Sequence, residues 1–252
     1  GPDRVHCSGG LVLPPEENSF FTRTLTVTET DTVTAELTLR PRPGAALNQL
    51  LVSGSDAQGP SSIADPRGNA LAAIDGDQRT SWVATPDSIR PVGPLPTFTI
   101  TLPEATEVAA LQLDSGPGVV PPAAQRVVVN LGNGPQVLDV GANGTVTLHP
   151  HVTDHVTISV LDWDELYDAA GFGIERVPPG FAEISVLDAT GTAVLGAGSA
   201  ATADTAVTIA CGEGPTLSIG GHSIPTEIVT TQGELRSGAL VQATPCGGSP
   251  AP

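Results

Sequence analysis

Apolar and polar residues alternate with a period of two along most of the chain. The alternation is clear in RTLTVTE and TVTAELTLR near the start, then in TFTITL, EVAALQLD, RVVVNL, PQVLDV, TVTLH and HVTISVLDW. Successive side chains of a strand point to opposite faces, so this period predicts half-buried antiparallel strands. In TFTITL it turns Phe98, Ile100 and Leu102 inward. GFGIERV and FAEISVLD, separated by Pro-Pro-Gly, read as two further strands, and weaker ones follow Thr190. Only PRPGAALNQLL offers a short helix. Tight turns rich in Gly and Pro punctuate the rest, with 29 and 24 of them in 252 residues. The pattern is that of an all-β chain built as sandwiches.

No repeat of fixed period is present. Residues 46–180 read as one β domain and 181–252 as a second, smaller β unit. Residues 1–45 hold an irregular Gly/Pro leader and strands with no partners of their own. If those strands complete the second unit, the first domain is an insertion within it.

Composition narrows the function. Five Phe, two Trp and one Tyr are all the aromatics, so the core must be Val, Leu, Ile and Ala. A net charge of −17 argues against nucleic acid, whose phosphates would be repelled, and disfavours an anionic membrane surface. All ten basic residues are Arg, an alanine- and arginine-using texture associated with high-GC bacteria. No apolar run approaches the roughly 20 residues needed to span a bilayer, so a soluble piece with no membrane contact of its own is expected. There is no Met, and Gly1-Pro2 reads as a protease scar, so an excised fragment is expected. Any membrane anchor would then lie outside it.

Cysteines at 7, 211 and 246 match no metal spacing. Cys211 and Cys246 bracket a compact, turn-rich segment and are expected to form a disulfide, which implies an oxidising, extracytoplasmic location. Cys7 is left over.

The densest polar cluster is AAIDGDQRTSWVA, from Ala72 to Ala84. Asp-Gly suits a tight turn, because glycine tolerates positive φ and aspartate bonds its own backbone. A plain turn is one reading. The other is a cation site, since Asp75, Asp77 and Thr80 on one bent loop can aim three oxygens at a common point. Calcium takes six to eight oxygens, several from backbone carbonyls. Two unpaired carboxylates 4 Å apart repel by about 4 kcal/mol at an effective dielectric near 20, and a divalent ion reverses the sign.

IDGDQRTSW, followed about a hundred residues later by GFGIERV, resembles the discoidin, or coagulation-factor C-type, galactose-binding-like family. The resemblance covers roughly 46–180 and implies a jelly-roll β-sandwich, often with one structural Ca2+. It implies Asp75, Asp77 and Thr80 as ligands with the carbonyl of Ala72, joined by Glu175 and the carbonyl of Ile174. Trp82 would pack beneath the turn as core. More narrowly, the texture is similar to extracytoplasmic regions of membrane-bound mycobacterial arabinofuranosyltransferases. That implies a non-catalytic carbohydrate-binding region beside the rest of a transferase, with an arabinan-like cell-wall glycan as partner.

LDWDELYDAAGFG gathers Trp163 and Tyr167 among acids. A ring covers the C–H faces of a sugar while Asp162 and Asp164 accept its hydroxyls, so these four are candidate glycan contacts. The bland alternative is that Trp163 ends a strand and folds inward. HPHVTDH places His149 and His151 two apart, which can chelate zinc, yet Pro150 intervenes and no second cluster completes a set. A hydrolase would need two carboxylates facing each other across a cleft, and no nucleophile, P-loop or dinucleotide motif occurs. A structural or protein-docking domain that touches no sugar is the rival to glycan binding.

Overall fold

The computed structural model describes residues 5–6, 37–51, 55–61, 65–89, 93–118, 120–168, 175–195, 204–219 and 222–247. In chain order, β1 is Val5–His6, β2 Leu37–Leu39, α1 Ala45–Leu51, β3 Asp56–Gln58, β4 Trp82–Val83, β5 Thr97–Asp114, β6 Ala124–Asn130 and β7 Pro135–Asp139. Then follow β8 Thr145–Trp163, β9 Tyr167–Asp168, β10 Glu175–Arg176, β11 Gly180–Phe181, β12 Glu183–Leu187 and β13 Ala193–Leu195. The last elements are β14 Ala206–Ile209, β15 Thr216–Ile219, β16 His222–Thr231, α2 Gln232–Ser237 and β17 Val241–Pro245. RTLTVTE and Cys7 lie outside the described residues.

A seven-stranded sheet in the order β13-β12-β5-β8-β6-β7, with β3 also on β5, forms the main body. Its two central strands are long and bent. Pairing of β5 with β8 breaks between Thr101 and Thr106, around the exposed residues 103–105. Ahead of the break β5 pairs with β3, and beyond it with β12. The late half of β8 carries β6 and β7. The sheet thus folds over itself into two layers, a jelly-roll sandwich. Phe98, Ile100 and Leu102 from one half of β5 and Val108, Leu111 and Leu113 from the other are buried with Val127, Ile158, Val160 and Ile184. TFTITL with EVAALQLD, and TVTLH with HVTISVLDW, are therefore halves of two continuous strands.

The sandwich does not end at residue 180. Glu183–Leu187 pairs along its whole length with Ala110–Asp114, because Ile184 and Val186 need the core that Leu111 and Leu113 face. The boundary drawn from sequence at 181 lies beyond Leu195.

A second, five-stranded sheet, β14-β16-β17-β2 with β15 on β16, follows, and Cys211 is joined to Cys246 by a disulfide. Leu37–Leu39 pairs with Val241–Ala243, so chain from ahead of the sandwich lies on this sheet. Helix α2 begins at a capping box, Thr231 with Glu234, and ends at Gly238 in the left-handed conformation. It docks on α1. Gln232 Nε2 donates to the carbonyl of Leu50 at 3.3 Å and Arg236 Nη2 to that of Leu51 at 3.2 Å. These are terminal carbonyls that a short helix cannot satisfy itself.

Among the described residues no helix is long and apolar enough to cross a membrane.

Candidate functional site

The Asp-Gly turn is built by its neighbours. Asn69 caps the buried 3-10 turn Ala70–Ala73, its Oδ1 accepting from the N–H of Ala72 at 3.3 Å. Gly76 follows with φ of 79°, a conformation glycine enters without steric cost. Asp75 accepts from the N–H of Asp77 at 2.9 Å and closes the turn. The hydroxyl of Thr80 then sits 3.1 Å from both Asp75 oxygens, 3.3 Å from the carbonyl of Ala72 and 2.7 Å from that of Asp77. One hydroxyl proton can serve only one of these acceptors. What remains is a nest of oxygens short of positive charge.

A second carboxylate meets the turn from the sandwich. Oε2 of Glu183, the first residue of β12, accepts from the N–H of Gly76 at 2.9 Å. Its Oε1 is buried without a partner among the described residues. Burial pushes Asp75 up to about 6. Burial, with the nearby charges of Asp75 and Asp114 adding to it, pushes Glu183 up to about 8. Two desolvated acids with an unpartnered oxygen are costly unless a proton or a cation neutralises them. The donor set is all oxygen, and it suits a hard divalent ion.

One expected ligand turns away. The carboxylate of Asp77 is turned out to Arg79, 2.8 Å away at the surface, so only its carbonyl joins the nest. Glu175 pairs with Asp168 in a small sheet with β1, and its side chain lies outside the described residues. Ile174 lies outside the described residues. The acid that sequence reasoning missed is Glu183, whose signal was a charged residue inside the apolar run FAEISVL. Trp82 does pack beneath the turn, fully buried, stacked at 5.7 Å on Phe181 with Phe98 at 4.9 Å. Its Nε1 donates to the carbonyl of Gly59 at 3.1 Å.

The aromatic platform expected at Trp163 is not formed among the described residues. Trp163 is 8% exposed, and its Nε1 donates to the carbonyl of Val177 at 3.1 Å. The guanidinium of Arg176 lies over its ring, 3.9 Å from the centroid. The alternation of β8, inward at Val156, Ile158 and Val160, slips by one residue past Val160, where the register with β6 shifts, so that Asp162 is exposed and the ring of Trp163 is buried. Asp162 accepts from the N–H of Trp163 and Asp164 from Gln125, both at 2.9 Å. Tyr167 is half-buried on β9.

Two of the clefts among the described residues open on the sandwich. One, of about 820 Å³, lies between α1 and β3 and is lined by Asn48, Gln49, Asp56, Gln58, Ser61 and Asn69. The other, of about 300 Å³, lies beside the end of β5 and includes Gln112, Asp114, Gln125 and Asn143. Among its described lining residues each contains one carboxylate.

A jelly-roll sandwich with a buried Asp-Gly turn and a tryptophan core beneath it defines a discoidin-type β module. Within that class, the chain belongs to the family described as arabinofuranosyltransferase D, third carbohydrate binding module, whose model matches residues 53–198. It is 41% identical over 251 residues to an alpha-(1->3)-arabinofuranosyltransferase of Mycobacterium tuberculosis, and 38% identical over 255 residues to that of Mycolicibacterium smegmatis. Those matches cover 98% and 99% of this chain, which spans only 18% of each relative. A cryo-EM structure of arabinofuranosyltransferase AftD from Mycobacteria matches with a TM-score of 0.73 at 37% identity, over 87% of this chain and 18% of that one.

Proposed function

We propose that the chain is a non-catalytic, calcium-braced module that holds an arabinan-like cell-wall glycan beside the rest of a membrane-bound arabinofuranosyltransferase, on the extracytoplasmic side. The observation that carries the binding reading over a hydrolytic one is that, among the described lining residues of these two clefts, each holds a single carboxylate, Asp56 in one and Asp114 in the other. Glycoside hydrolysis uses two carboxyl groups flanking the scissile bond. Asp114 is moreover engaged, taking Gln78 Nε2 and the N–H of Gly116, each at 2.7 Å.

Asp75, Thr80, Glu183 and the carbonyls of Ala72 and Asp77 would hold the ion. Calcium would supply the positive charge that lets both acids stay ionised in the core. The Cys211–Cys246 disulfide supports an oxidising compartment. The deciding experiment is a glycan screen on the purified chain, followed by NMR titration with an arabinofuranosyl oligosaccharide. Saturable shifts without turnover of the sugar support the proposal. Cleavage of the sugar, or no shift with any glycan at tens of millimolar, overturns it.

A further inference from the structure

We propose that the cleft between α1 and β3 is where this chain takes its glycan, and that its ligand is an uncharged furanoside oligosaccharide recognised by side-chain amides without aromatic stacking. The proposal rests on the glycan-binding reading above and assigns it a place and a chemistry.

The lining decides the ligand class. Asn48, Gln49 and Gln58 bring three amides to one cleft, backed by Asn69 and by Ser61, whose hydroxyl donates to the carbonyl of Gly68 at 2.8 Å, and Asp56 is the one carboxylate among the described lining residues. An amide offers two donors and an acceptor that accepts twice, which matches the hydroxyls of a sugar. No ring and no cation is among these lining groups. A pyranoside presents a broad C–H face, and burying that face on an aromatic ring is what such a platform contributes. A puckered five-membered ring has no comparable flat face, so hydrogen bonds carry more of its recognition. Asp56, on a chain of net charge −17, repels uronic or phosphorylated glycans.

The walls are already held. Asn69 is 5% exposed; its Oδ1 is committed to capping and its Nδ2 donates to Asn48 Oδ1 at 3.3 Å. That fixes the orientation of the Asn48 amide and leaves its Nδ2 for a ligand. Asp56 accepts from the N–H of Ala57 at 2.8 Å and lies 3.4 Å from Gln58 Nε2. Helix α1, the other wall, has its last carbonyls tied to Gln232 and Arg236 of α2. β3 pairs only with β5 among the described residues, so its second edge is not closed by a strand. Pre-ordered polar groups reduce the entropic cost of binding a flexible oligosaccharide. A volume of about 820 Å³ suits several sugar residues better than one.

The test uses the calcium-loaded full chain, 15N-labelled, titrated with an arabinofuranosyl tetrasaccharide and separately with a mannopyranosyl tetrasaccharide. The expected result is saturable shifts of the side-chain amides of Asn48, Gln49 and Gln58, with the furanoside at least tenfold tighter. Gln58→Ala and Gln49→Ala, both exposed, should each weaken it about three- to tenfold with an unchanged melting temperature. Asn48→Ala should weaken it further. Shifts confined to residues 162–167, or equal affinity for the pyranoside, overturn this assignment while leaving glycan binding intact. Silence with both sugars and in the wider glycan screen defeats the glycan-binding reading as well.

Discussion

The N–H of Gly76 donates to Oε2 of Glu183 at 2.9 Å, joining two positions 107 residues apart. Through this bond β12 reaches the Asp-Gly turn and brings a second buried carboxylate within electrostatic reach of Asp75. A cation there, as proposed, would bind the folded chain and have no counterpart in the unfolded one, so it would add RT ln(1 + [L]/Kd) to stability, about 4 kcal/mol at a thousandfold excess over Kd. A chelator should lower the melting temperature by several degrees. Asp75→Ala and Glu183→Ala should abolish that difference, and Glu175→Ala should preserve it. Calorimetry of the three variants with and without chelator decides the ligand set.

Without the ion, the same pair predicts an unusual pH dependence. Both acids are raised on folding, Asp75 to about 6 and Glu183 to about 8. Groups shifted this way contribute stability that is present below their unfolded values, near 4, and lost as pH rises through the folded ones. The chelated chain should therefore lose stability from about pH 4 to pH 8, on the order of 3 kcal/mol from Asp75 alone. Acids that folding lowers, such as Asp188 with its hydrogen bonds from Thr190 and Thr192, act in the opposite sense below that window. Added calcium should flatten or invert the slope. Urea midpoints at pH 5 and pH 8, in chelator and in calcium, measure both slopes.

Trp163 is core, and its replacement should show it. Trp163→Ala removes a buried ring, its hydrogen bond to Val177 and the cover over which Arg176 lies. The expected cost is about 3–5 kcal/mol. Glycan affinity, measured below the lowered melting temperature, should change less than threefold. A large loss of affinity with little loss of stability would restore the ring as a sugar platform.

Much of the sandwich was legible because alternation is a local signal. Phe98, Ile100 and Leu102 point inward as their spacing requires, and the short helix falls within PRPGAALNQLL. The continuity of β5 and β8 was hidden, because exposed residues at 103–105 and around His149 and Pro150 look like strand ends when they mark bends. At the site, Asp75 and Thr80 were legible within nine residues of Ala72, since a tight turn brings near neighbours together. Glu183 was not, because its approach depends on the register of β12 against β5, which one strand's sequence does not state. The burial of Trp163 depends likewise on Arg176, thirteen positions away in the chain.

Reduction should act on the second sheet. The Cys211–Cys246 disulfide closes a 35-residue separation, and losing it costs about 4 kcal/mol on the chain-entropy estimate. Cys211→Ser should lower the urea midpoint, and hydrogen exchange should rise first in β14, β15 and β17. Equal protection in the reduced and oxidised chains would show that the sheet holds without the bridge.

Arg236 joins the two sheets' fates. Its guanidinium is half-buried on α2, donates to the carbonyl of Leu51 and bears its charge on Asp75, whose carboxylate it favours against burial. Arg236→Ala removes a charged hydrogen bond worth about 1.5–3 kcal/mol and leaves that carbonyl unpaired. It also strips Asp75 of a counter-charge, which calcium in the nest would replace. The substitution should therefore cost more in chelator than in saturating calcium, by about 1 kcal/mol or more, a non-additivity expected of groups that share one charge. Arg236→Lys should restore part of the chelator-only loss, because the charge returns while the fork that reaches Leu51 does not. Denaturation of the wild type and both variants, each with and without the ion, gives the coupling directly. Equal costs in the two conditions would mean that Arg236 serves only as a strut between α2 and α1.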